Sequence, residues 1–131
     1  MYEAIIEKIK ERLTGRELSA VIIPHISPDG DAAGSCSALW QVLDKVGIQA
    51  QLMTCDYIPD YLKWLKRIPD AISFQNRPKE CKQWLHKADI LFMLDHNTVA
   101  REGDLEPFVK EFEGEVIMID HHPDPDDVTY R

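Results

Sequence analysis

The chain has 131 residues, 44% of them hydrophobic and 29% charged, with a formal net charge of −8. That length suits one ordinary domain, and that mixture of apolar and charged residues excludes a disordered chain. The acidic surplus weighs against a coat for long duplex DNA or RNA, which needs a basic stripe, and no apolar run approaches the ~18 residues of a membrane span.

In chain order, Tyr2, Ile5, Ile6, Ile9 and Leu13 share one helical face and predict an amphipathic helix packed on a sheet. The N-terminus lacks the apolar core of a signal peptide. The β-branched run 20–24 predicts a buried strand. A helix over 32–46 follows, with Leu39, Val42, Leu43 and Val46 at helical spacing and Gly47 at its end. Residues 48–55 read as a second strand, 57–65 as a turn into a short helix, and 71–74 as a short third strand. Pro78 suits the first turn of the next helix, which buries Trp84 and Leu85. The run 88–94 is a nearly continuous apolar strand. Leu105, Phe108, Val109 and Phe112 then mark a helix closed by Gly114, and 115–119 is the last strand. Trp40, Trp64 and Trp84 read as core or interface residues rather than base-stacking platforms, and His86 as a structural or surface residue. Cys36, Cys55 and Cys81 are odd in number and show no C-x-x-C spacing, which predicts reduced thiols in a cytoplasmic protein. Alternating helices and unbroken apolar strands predict an α/β fold: a doubly wound, mainly parallel sheet of about five strands with helices on both faces.

Three apolar strands end in metal-ligand residue types. They are His25 with Asp29-Gly30-Asp31, Asp95-His96, and Asp120-His121-His122. Parallel strands bring their carboxyl ends to one edge, where α/β sheets build ligand sites. Taken singly, Asp29-Gly30 is an ordinary turn, Asp95 an N-cap for the following helix, and His121-His122 a loop pair. Together they gather four of the five histidines with at least four aspartates. Clustered carboxylates repel unless a cation lies between them. Mixed imidazole and carboxylate ligands suit Mn, Fe, Co or Zn. Such a cluster can hold two ions about 3.5–4 Å apart and activate a water for attack on phosphorus. Ser35 and the first turn of the helix could offer N–H groups to a phosphate.

On these motifs the chain resembles the DHH phosphoesterase superfamily over almost its whole length. The first motif is matched by residues 25–35, the second by Leu94-Asp95 with Arg101 and Gly103 downstream, and the third by Asp120-His121-His122. The resemblance implies a two-metal, usually Mn²⁺-dependent phosphohydrolase, with Mg²⁺ or Co²⁺ as alternatives. His25 and Asp29 would bind one ion, Asp31 and His121 the other, and Asp95 would bridge them. His122 would contact the scissile phosphate or assist the leaving group, and Asp120 would orient the histidines, as metal-bound imidazoles commonly need. Ser35, His96 and Arg101 are candidate substrate or outer residues. Within the superfamily the chain looks most like the bacterial nanoRNases, which degrade very short RNA and dephosphorylate 3′-phosphoadenosine 5′-phosphate. Its substrate would then be a short oligonucleotide or a nucleotide phosphate, with no membrane partner and a homodimer left open.

Two features depart from the family pattern. His96-Asn97 follow Asp95, where small polar residues are more usual. The chain also ends before the family's fourth motif and its C-terminal substrate-binding domain. It therefore reads as a truncated N-terminal domain over 1–131 that binds metal weakly and hydrolyses little. A cyclic-dinucleotide phosphodiesterase, a pyrophosphatase, a phosphoacceptor signalling domain and a non-catalytic fragment are the competing readings.

Overall fold

The computed structural model describes residues 2–13, 17–25, 28–56, 58–95 and 103–120. Its centre is one five-stranded, wholly parallel sheet. The strands are β1 (Ser19–Pro24), β2 (Gln49–Thr54), β3 (Ile72–Ser73), β4 (Ile90–Leu94) and β5 (Glu115–Ile119), in the spatial order β3-β2-β1-β4-β5. The apolar runs become strands because both faces are covered. Alternate residues of β1 serve different cores: Ala20 and Ile22 pack on one face, Val21 and Ile23 on the other, all fully buried. Removing that much apolar surface from water, at roughly 25 cal/mol per Å², is the main force holding the sheet.

The first face is covered by helix α2 (Gly30–Lys45) and by residues 58–68, which contribute Ile58, Leu62 and Ile68. The second is covered by α3 (Pro78–Lys87) and α4 (Glu106–Lys110), through Cys81, Leu85, Leu105 and Val109. An amino-terminal helix, α1 (Tyr2–Leu13), precedes the sheet, and Ile6 on its expected inner face is half exposed. Among the described residues, no helix is long and apolar enough to cross a membrane.

The architecture agrees with the expected doubly wound fold, but α2 buries only part of its expected stripe: Leu43 is fully buried and Leu39 packs against the core. Its helical spacing suggests Val42 and Val46 as core residues, yet each is 54% exposed. The buried stripe is Ala32, Ala33, Cys36, Ser37, Trp40 and Leu43. Small residues near the helix start let α2 lie close to the strand ends, and the one bulky residue, Trp40, fills the space further along. Its buried indole N–H donates to the Ala50 carbonyl at 3.1 Å, and the Arg67 guanidinium stacks 4.2 Å from the ring centroid. The short helix expected over 57–65 is a single 3-10 turn, Asp60–Leu62. Of the two readings for Trp64, core or interface, its 78% exposure excludes the core.

The amino edge of the sheet is tied by two backbone bonds and by the Asp89 carboxylate. Asp89 N–H donates to the Ser19 carbonyl, Ser19 N–H to the Asp89 carboxylate, and Glu115 N–H to the Asp89 carbonyl, at 2.9, 3.0 and 3.1 Å. Gly114 is needed here for more than ending a helix. A Cβ on it would stand 2.5 Å from the Asp89 carbonyl oxygen and 2.8 Å from the Phe112 ring. Gly114→Ala is therefore expected to lower stability by about 1–3 kcal/mol in urea denaturation. A loss below ~0.5 kcal/mol would mean that the turn before β5 yields freely.

Candidate metal centre

The strand order reverses between β1 and β4. From β1 the chain moves one way to β2 and β3, and the other way to β4 and β5. Such a switch point opens a crevice at the carboxyl ends of the two central strands. Pro24 pairs with Leu94 in the ladder, so the next residues, His25 and Asp95, emerge side by side. Both are buried, at 6% and 7% exposure. His25 Nε2 lies 3.6 Å from Asp95 Oδ2 and 3.7 Å from Asp29 Oδ1.

Local structure aims each group. Asp95 ends β4 with φ +61°, a left-handed conformation that Asp tolerates better than most residues. Its N–H donates to the Ile119 carbonyl of β5 at 3.0 Å, which fixes the turn. Asp29 caps α2. Its Oδ1 accepts the Ala32 N–H and its carbonyl accepts the Ala33 N–H, both at 2.9 Å. The Ala32 N–H holds the Asp29 carboxyl below the usual range, against a partial desolvation that acts the other way and with help from His25. Below them sits Cys36, whose thiol is pushed well up by burial and then by the charge of Asp95. The cluster that could hold an ion comprises His25, Asp29 and Asp95, so its donors are nitrogen and oxygen.

One ligand atom each from His25, Asp29 and Asp95 lies within 4.8 Å of the other two. Two ligands about 2.1 Å from a shared cation stand roughly 3–3.5 Å apart. The observed 3.6 and 3.7 Å separations need little adjustment to close on an ion. The donor set, one imidazole and two carboxylates, fits a transition-metal dication.

The other candidate residues stand differently. Asp31 lies exposed in the first turn of α2, outside that three-residue cluster. Ser35 is exposed one turn further on, where its N–H belongs to the helix ladder. Asp120 follows β5 and is half-buried, beside Asp95 on the same sheet edge, because Leu94 pairs with Ile119. His96, Arg101, His121 and His122 lie outside the described residues. Asp95 does not cap α4, which begins only at Glu106. Its left-handed backbone had no signal in the sequence beyond the residue type itself.

Comparisons with known proteins bear on the family and the fold. The model of the DHH family, N-terminal domain, matches residues 19–131. Among solved structures, the crystal structure of an exopolyphosphatase-related protein from Bacteroides fragilis superposes with a TM-score of 0.93 at 30% identity. The match covers 98% of this chain and 37% of that one, so the chain spans well under half the length of that relative. No curated protein matches the chain.

Asp29 carries both the cap and a ligand position, and the two roles separate by substitution. Asp29→Ala should cost about 1 kcal/mol at pH 7 through loss of the cap, whereas Asp29→Asn keeps an acceptor and should cost little. Because the folded-state pKa is depressed, the carboxylate's contribution is present above its unfolded value of about 3.8 and fades as pH falls through the lower folded value. Urea denaturation at pH 7 and pH 3 should show the wild type losing more stability than Asp29→Asn. Equal losses would contradict the charge-assisted cap.

Proposed function

Because the chain belongs to the DHH family, whose members are phosphoester hydrolases, we propose that it is the metal-binding part of an enzyme cleaving phosphoester bonds of short oligoribonucleotides or of 3′-phosphoadenosine 5′-phosphate. The observation that carries this reading is the convergence of His25, Asp29 and Asp95 at the switch point of the sheet. His25 and Asp29 would hold one Mn²⁺, Asp31 and His121 would serve a second, and Asp95 would be shared by both. When bound, such ions polarise a phosphoryl oxygen and make a water nucleophilic near neutral pH.

The chain's own residues supply placement. The Asp95 carboxylate is buried and stands on a backbone tied to β5. The Ala32 N–H keeps Asp29 turned toward His25. The positive end of α2, sixteen residues long, opens at Asp29 and favours an approaching phosphate. His122 contacts the scissile phosphate, and Asp120 orients its neighbouring histidines.

A second reading has its own support. The solved relative is described as exopolyphosphatase-related, which favours phosphoanhydride bonds of inorganic polyphosphate. The two differ in one assay. Phosphate or nucleotide release should be followed from a 5′-phosphorylated dinucleotide, from 3′-phosphoadenosine 5′-phosphate and from tripolyphosphate, with Mn²⁺ present.

Asp95→Asn tests the proposal with the fold protected, since Asn also tolerates φ +61°. Removing even an outer partner of a metal ligand costs about 10–100-fold, so this variant should lose about 100-fold or more of the Mn²⁺-dependent hydrolysis. Its urea midpoint should be unchanged or raised. Hydrolysis at the wild-type rate would remove Asp95 from the centre.

A further inference from the structure

We draw no further inference here: the strongest candidate, the outer edge of the last strand β5, with Val116, Ile117 and Met118 half-buried and Ile119 56% exposed, carries nothing because no observation in the structure shows what covers it.

Discussion

Parallel pairing of β1 with β4 is the constraint on which the site depends. Pro24 opposite Leu94 makes His25 and Asp95 the first residues past the ladder, one strand spacing apart and facing the same crevice. A slip of one residue would send both side chains to the other face of the sheet. Much of the surrounding structure prevents that slip. The Asp89 junction aligns the amino ends of β1, β4 and β5, and Gly114 lets β5 approach it. Small residues on α2 bring that helix, and with it the Asp29 cap, close to the carboxyl edge.

The electrostatics of the edge then call for a cation. Asp95 and His25 are nearly removed from water, and a second carboxylate, Asp29, lies within reach of both. A buried carboxylate with a second one this close is costly unless opposite charge is brought in, although Asp29 itself is exposed to water. Part of the compensation is built into the chain: the Ala32 N–H and the positive end of α2 serve Asp29. A bound dication would supply the rest. Cys36 stands outside the three-residue cluster that would hold it. The result is a nitrogen–oxygen site on a rigid sheet edge, which is what a metal-assisted attack on a phosphorus centre requires.

The sheet was legible in the residues because its strands are buried on both faces and so read as unbroken apolar runs. The motif ends were legible for a related reason, since Asp and His placed directly after such runs have no role in the core. What could not be read was which side of an element faces inward when large and small residues compete. Val42 and Val46 have helical spacing, but the close approach of α2 selects Ala32, Ala33 and Cys36 instead. Trp64 was open in the same way between core and interface, and Leu62 and Leu65 take the inward positions of that turn. Asp29 was legible as a turn residue and as a ligand. Its third role, capping α2 and thereby aiming its own carboxylate, needed the helix to begin at Gly30 rather than Ala32.

If His25, Asp29 and Asp95 share a metal ion, anomalous diffraction at the manganese edge from crystals of the chain grown with Mn²⁺ locates it. A peak is expected about 2.0–2.3 Å from His25 Nε2 and from a carboxylate oxygen of both Asp29 and Asp95. An ordered structure with Mn²⁺ bound elsewhere, and His25 hydrogen-bonded directly to Asp95 with no ion between them, would contradict it.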